Sequence, residues 1–216
     1  MERRNRAILA SGLLVAAGLV FWITWARHPA KLPAARLKSA APKANAMPAA
    51  WDAPAFAFVD QDNQPLTANA LKGKVWVADF IFTRCGNTCP IMTTKMVGLQ
   101  KKITDPRVMF VSFSVDPDRD KPADLKEYAK KYGVDESRWR FLSPPDGKSI
   151  LNVAVGMRIT GPPTENNNPL LHADRFLLVD SHGKVRGSYY GGDEDAMARL
   201  VSDAERLAHM QGVGNE

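Results

Sequence analysis

The only two cysteines of this 216-residue chain, Cys85 and Cys89, lie four residues apart, where an apolar run gives way to a helical pattern. Pro90 suits the first helical position because the N–H that it lacks has no partner there. We therefore expect Cys89 near the N-cap and Cys85 in the preceding loop. Unpaired N–H groups at a helix N-terminus favour thiolate over thiol. The pair is a candidate for disulfide exchange or for binding a soft metal ion, since both require the thiolate.

Soft thiolates favour Cu(I), and a further ligand beside them should be a neutral imidazole or a thioether. Four histidines are available. His28 lies in an Ala- and Pro-rich segment, His209 lies near the C-terminus, and His182 occupies a predicted hairpin turn. His172 stands just before a predicted strand, at the end of the long polar loop 161–169. A lone histidine at a strand start is more commonly solvated or a local cap, so the residues alone leave its role open.

Other side chains near the cysteines could also bind metal ions. Asp116, Asp118 and Asp120 offer hard oxygen ligands, which suit Ca²⁺ or Mg²⁺ rather than copper, and their spacing lacks the Gly and the distal Glu of a calcium loop. We expect Asp116 to end a strand and Asp120 to cap the following helix, with contact to a partner as the alternative. Met92 and Met96 could bind Cu(I), but their helical spacing favours a core-facing stripe.

An uncharged apolar run covers residues 7–26, and three arginines precede it at positions 3, 4 and 6. Twenty residues at helical rise can span a bilayer core of roughly 30 Å. Because basic flanks stay inside, we expect residues 1–6 in the cytoplasm, one transmembrane anchor in the cell inner membrane, and the rest on the periplasmic side. A cleaved signal peptide is the alternative. Its apolar region is only roughly 7 to 15 residues long, and no small-x-small site follows closely here.

The formal net charge of +6 is unevenly distributed along the chain. Residues 1–50 carry eight basic side chains against one acidic, whereas residues 51–216 carry 21 basic and 22 acidic. This distribution removes the main argument for nucleic-acid binding. Residues 27–50 are rich in Ala, Pro and Lys, which predicts a flexible basic linker that could rest on anionic lipid. Residues 51–216 are long enough for one domain with a substantial core.

Strand and helix patterns alternate through residues 51–216 and predict an α/β sheet. A short hairpin is expected near Phe56 to Val59, before the first core strand. The later predicted strands are Val75 to Phe82, Arg107 to Val115, Arg140 to Leu142, Arg175 to Val179 and Val185 to Tyr190. The predicted helices are Cys89 to Lys101, Pro122 to Tyr132, Asp146 to Val155 and Asp193 to His209. A β-α-β-α core followed by a β-hairpin and a final helix is the order of a thioredoxin-like fold: a central mixed sheet flanked by helices.

Three residues separate the two cysteines, whereas thioredoxin-type redox enzymes use two. The longer spacing lets the sulfurs either bond at about 2 Å or stand roughly 4 Å apart around one metal ion. A purely structural disulfide is a poor explanation, because so small a loop restricts the unfolded chain little. The alternative of two inert buried thiols is disfavoured by their position at a helix N-terminus.

Three motifs in order resemble the Sco/SenC family of membrane-anchored copper proteins. They are Phe-Thr-Arg-Cys-x-x-x-Cys-Pro at 82–90, Ser-Val-Asp-Pro-Asp-Arg-Asp-Lys-Pro at 114–122, and a His four residues ahead of Phe-Leu-Leu-Val-Asp at 176–180. The resemblance covers residues 51 to 210 and implies a thioredoxin-like fold. It also implies copper ligands at Cys85, Cys89 and His172, and a role in assembling the dinuclear copper A site of cytochrome c oxidase subunit II.

Several functions remain open at this stage. The first is a copper metallochaperone with Cu(I) as the favoured cargo, subunit II as the recipient, and another copper chaperone as a donor. The second is a thiol-disulfide oxidoreductase that uses Cys85 and Cys89 to reduce the copper-site cysteines of the oxidase subunit, itself served by a thiol reductant. A copper or redox sensor is a third. A peroxidase is disfavoured, because the cysteine motif does not resemble those of the peroxidases that share this fold.

Overall fold

The computed structural model describes residues 51–159 and 174–212. The predicted anchor at 7–26, the predicted linker at 27–50 and His172 lie outside these ranges. Within them, no helix is both long enough and apolar enough to cross a membrane.

Eight strands of the described ranges form one mixed sheet in the order β1-β8-β7-β4-β5-β6-β2-β3. The central strands β4, β5 and β6 are parallel, and every other pairing is antiparallel. The strands are β1 (Trp51–Asp52), β2 (Ala57–Asp60), β3 (Pro65–Thr67), β4 (Val75–Ile81), β5 (Val108–Ser114), β6 (Trp139–Ser143), β7 (Arg175–Val179) and β8 (Lys184–Tyr190). The predicted N-terminal hairpin, β2–β3, and the predicted late hairpin, β7–β8, are both confirmed.

Helices cover both faces of the sheet. They are α1 (Thr88–Lys102), α2 (Pro122–Tyr132), α3 (Gly147–Gly156) and α4 (Glu194–Gly212), with a short 3-10 helix at Ala68–Leu71. The apolar sides of α1, α2 and α4 pack on one face. Helix α3 and an aromatic cluster that includes Phe56, Trp76 and Phe113 cover the other. The predicted fold class, an α/β sheet between helices, is confirmed.

Strands β4 and β5 lie at the centre of the sheet, and all fourteen of their residues are buried. A strand covered on both faces needs apolar side chains in both directions, which explains the continuous apolar runs in the sequence. Successive side chains of a strand point to opposite faces of the sheet, so every second residue of β4 faces α1. Val75, Val77 and Ile81 point to that face, so Asp79 points there as well, among apolar neighbours.

Helix α1 begins one residue before the predicted range Cys89 to Lys101 and two residues before Pro90, the predicted first helical position. Asn87 is the N-cap, so Thr88 and Cys89 are the first two helical residues and Pro90 is the third. Proline is still tolerated there, because the N–H groups of the first turn have no intrahelical acceptor. Cys89 therefore lies inside the first turn, and only Cys85 lies in the loop that leaves β4.

Candidate metal centre

The two sulfurs share the N-terminus of α1, as the spacing predicted. The N–H of Cys85 donates to the carbonyl of Phe82 at 3.2 Å, which turns the chain back after β4. The N–H of Cys89 then donates to the Sγ of Cys85 at 3.3 Å. Both cysteines are free thiols; Cys85 is half-buried, whereas Cys89 is only 4% exposed. The sulfur of Cys85 is thus accessible to a partner molecule, whereas the sulfur of Cys89 is buried beneath that of Cys85.

The two thiols differ in acidity. Burial opposes ionisation of Cys85, but the N–H groups of Cys89, Asn87 and Thr88 and the thiol of Cys89 favour its thiolate, so its pKa is lowered. The pKa of Cys89 is raised to about 12, chiefly by burial; the Phe82 backbone opposes this rise, and the thiol of Cys85 and the charge of Asp79 contribute to it. The expectation that the helix N-terminus activates both thiols is therefore wrong for Cys89. Cys85 is therefore the thiol of the pair that ionises more readily.

Asp79 is a residue that the sequence interpretation did not single out. It is fully buried in β4, and neither carboxylate oxygen has a hydrogen-bond partner among the described residues. Its neighbour in the strand register is Ser112. Burial raises the pKa of Asp79 to about 7, although the Ser112 hydroxyl and the residue's own backbone favour the charged form. An acidic residue within the apolar run Val75 to Phe82 was the signal that could have revealed it.

Asp120 does not cap α2, contrary to the prediction. The N-cap of α2 is Lys121, whose N–H donates to the carboxylate of Asp124 at 3.0 Å. The buried carboxylate of Asp120 instead accepts hydrogen bonds from Thr83, two residues before Cys85, and from Ser114 at the end of β5. Asp116 follows β5 closely, as expected, and forms an ion pair with Arg119 at 2.8 Å.

Met92 and Met96 face the core, as predicted, with 3% and 0% exposure. Met92 approaches the chain just before α4: a Cβ added to Gly191 would lie 2.6 Å from its Sδ. The N–H of Gly191 in turn donates to the carbonyl of Asp174 at 2.8 Å. The first turn of α1 is therefore tied to the beginning of β7, at the edge of the sheet that carries the cysteines.

The described residues supply two soft donors for a metal ion. They contain no cluster of three or more His, Cys, Asp or Glu side chains placed to bind one. An accessible thiol of lowered pKa and a second thiol beside it at a helix N-terminus fit Cu(I), which prefers few, soft ligands.

Comparisons with known proteins agree with this arrangement. The SCO1/SenC family model matches residues 46–209. The SCO1 protein homolog of Bacillus subtilis (strain 168) is 35% identical over 167 residues, which cover 76% of this chain and 86% of the relative. A protein of Stutzerimonas stutzeri whose name describes it as copper-binding is 29% identical over 141 residues, which cover 62% of this chain and 67% of that protein.

Among solved structures, BsSco superposes with a TM-score of 0.65 and 34% identity, covering 74% of this chain and 95% of the other. It is described as a member of the Sco family of cytochrome c oxidase assembly proteins, with a disulfide switch. The likeness confirms the thioredoxin-type fold. The family match also spans the β4–α1 junction with both cysteines and the Asp116 to Asp120 turn. This chain belongs to the SCO1/SenC family.

Proposed function

We propose that this protein binds Cu(I) through Cys85, Cys89 and His172 and delivers it to the dinuclear copper A site of cytochrome c oxidase subunit II. The observation that carries the proposal is the arrangement of the two thiols at the N-terminus of α1. Cys85 is accessible and has a lowered pKa, so it can be the first thiolate to meet the metal ion. Cys89 lies close enough to donate its N–H to that sulfur, so it can become the second ligand once it loses its proton.

The position of Asp174 supports His172 as the third ligand. Strands β4 and β7 are antiparallel, with Ala78 opposite Leu177. Continuing this register places residue 174 level with Ile81, the last residue of β4. His172 precedes Asp174 by two residues, so the Cα atoms of the two residues are at most ~7 Å apart. A residue at that distance from Asp174 can reach the edge of the sheet that carries the cysteines, which supports His172 as the third ligand.

Location and partner extend the proposal. Residues 7–26 anchor the chain in the cell inner membrane by a single pass, residues 27–50 form the tether, and the copper-binding domain is periplasmic. The family of BsSco, described as cytochrome c oxidase assembly proteins, supports the choice of recipient. Copper leaves by ligand exchange, because an accessible site with few ligands lets a partner's donors bind before the original ones release.

Copper binding by the reduced protein tests this proposal. The wild-type protein should bind one Cu(I), and the protein oxidised to a Cys85–Cys89 disulfide should bind none at the same chelator concentration. His172→Ala should weaken Cu(I) binding at least tenfold without changing the circular dichroism spectrum. His182→Ala is the matched control, because His182 lies in the turn between β7 and β8. Unchanged affinity in His172→Ala would remove that residue from the site.

A thiol-disulfide oxidoreductase is the second candidate, and the unequal thiols favour it. An accessible thiolate beside a buried thiol of high pKa is the arrangement that attacks a disulfide and then resolves the mixed intermediate. This activity requires Cys85 and Cys89 but not His172. Oxidase assembly in cells that carry His172→Ala, compared with Cys85→Ser, separates the two functions. Normal assembly with the histidine variant would favour thiol reduction over copper delivery.

A further inference from the structure

We propose that Asp120 is a positioning residue of the dithiol site, which holds the loop of Cys85 in place through Thr83. The carboxylate accepts the N–H of Thr83 at 3.1 Å and the hydroxyl of Thr83 at 2.6 Å. It also accepts the hydroxyl of Ser114 at 2.6 Å. Asp120 is completely buried. These three donors satisfy a carboxylate that would otherwise be costly to bury, so the contact has a defined geometry.

Asp120 is itself held in place by hydrogen bonds to strands of the sheet and to the turn after β5. Its N–H donates to the carbonyl of Asp116 at 2.8 Å, which closes the turn after β5. Its own carbonyl accepts the hydroxyl of Ser143 from β6 at 2.7 Å. Ser114 ends β5, so the Asp120 carboxylate is tied to β5 and its backbone to β6. Because Asp120 is hydrogen-bonded to two strands, its position relative to the sheet is fixed. A residue that binds its carboxylate is therefore fixed relative to the sheet as well.

Thr83 is the residue that receives this restraint. It lies just after β4 and two residues before Cys85, in the loop that ends at the N-cap Asn87. Two residues span at most ~7 Å, so fixing the N–H and the hydroxyl of Thr83 limits where Cys85 can stand. The turn that places the Cys85 sulfur under the N–H of Cys89 begins from this fixed point. Thirty-seven residues separate Thr83 from Asp120, so the restraint is a property of the fold and not of the loop.

The two hydrogen bonds from Thr83 to Asp120, here called the clamp, therefore favour the arrangement with two free thiols, which is also the one that the proposed function requires for binding Cu(I). Thr83→Val removes the hydroxyl donor and keeps the side-chain shape. Asp120→Asn replaces one of the two accepting oxygens with an amide NH₂ group, which donates and cannot accept. Both variants should weaken Cu(I) binding by the reduced full-length protein at least tenfold in competition with a chromophoric chelator. Thr83→Ser keeps the hydroxyl and should restore wild-type affinity.

A second measurement does not depend on the proposed copper function. In a glutathione buffer, Cys85 and Cys89 give up two electrons and two protons to oxidised glutathione, forming one disulfide and two reduced glutathione molecules. Loss of the clamp should raise this equilibrium constant about tenfold, which corresponds to about 30 mV for a two-electron couple. If the wild type binds no Cu(I), the proposed function fails, and the disulfide equilibrium alone decides whether Asp120 positions the loop.

Asp180→Asn is the matched control. Asp180 is also buried, and it accepts two backbone N–H groups and the guanidinium of Arg186. It follows β7, at the end of that strand opposite to the cysteines. An equal change in Asp180→Asn would show that the effect is one of general stability and would overturn the proposal. So would values unchanged within twofold in a folded Thr83→Val variant, even if Asp120→Asn does not fold.

Discussion

Replacement of Asp79 with asparagine should stabilise the protein, and the gain should grow with pH. Asp79 is fully buried and its oxygens have no hydrogen-bond partner among the described residues. Its pKa is raised from 3.8 to about 7. The native state therefore holds the proton more tightly than the unfolded state, and wild-type stability falls as the pH rises from about 4 to about 7. Asparagine has the same shape and no charge to desolvate.

The size of the effect follows from the shift in pKa. One pKa unit corresponds to 1.36 kcal/mol, so a shift of about three units makes the ionised carboxylate cost about 4 kcal/mol above pH 8. At pH 5 the native carboxyl is protonated, and only about 1.6 kcal/mol of that cost is present. The stability of Asp79→Asn relative to wild type should therefore rise by about 2.5 kcal/mol between pH 5 and pH 8.

Urea unfolding of the reduced protein at pH 5 and pH 8, followed by circular dichroism, measures this difference. Asp180→Asn is again the control, because it removes a buried carboxylate that three donors satisfy. That variant should be less stable than wild type at both pH values, so the same chemical change has opposite effects at the two sites. A pH-independent difference for Asp79→Asn, or a loss of stability at pH 8, would refute the electrostatic argument.

The remaining predictions concern the thiols and the packing around them. At pH 7.5, iodoacetamide should alkylate Cys85 at least about a hundredfold faster than Cys89, because only the first has a lowered pKa; mass spectrometry of partly labelled protein measures the ratio, and equal rates would contradict it. Gly191→Ala should destabilise the protein by about 1 to 3 kcal/mol, because its Cβ would overlap the sulfur of Met92. Gly98→Ala, in α1 with no atom within 4 Å of the added Cβ, should instead stabilise it by up to about 1 kcal/mol in the same thermal unfolding assay.

Local patterns were sufficient to predict most of the fold. Continuous apolar runs identified β4 and β5, because strands buried on both faces have few other compositions. Pro90 located the start of α1 to within two residues. Asp146, where the third predicted helix begins, caps α3 and accepts the N–H of Ser149 at 2.7 Å. In each case the deciding interaction lies within a few residues along the chain.

The surroundings of the cysteines were not predictable in this way. Asp120 satisfies the local rule for a helix cap, yet its carboxylate binds Thr83, 37 residues earlier in the chain. Whether Asp120 caps α2 or binds Thr83 depends on how β4 and β5 are aligned, and that alignment is a property of the tertiary structure. Asp79 affects Cys89 for the same reason, since it shares a buried face with the first turn of α1. Local sequence patterns reveal neither the contact of Asp120 with Thr83 nor the proximity of Asp79 to Cys89.

The asymmetry of the dithiol therefore originates in the sheet beneath it. Asp120, satisfied by three donors, fixes the approach of the loop to Cys85. Burial against the sheet is the main cause of the raised pKa of Cys89, and the charge of Asp79 adds to it. The loop itself contributes N–H groups that lower the pKa of Cys85. It follows that grafting residues 85–90 onto another strand–helix junction would transfer the lowered pKa of one thiol. The raised pKa of the other would not follow unless the new junction buried that thiol to the same extent.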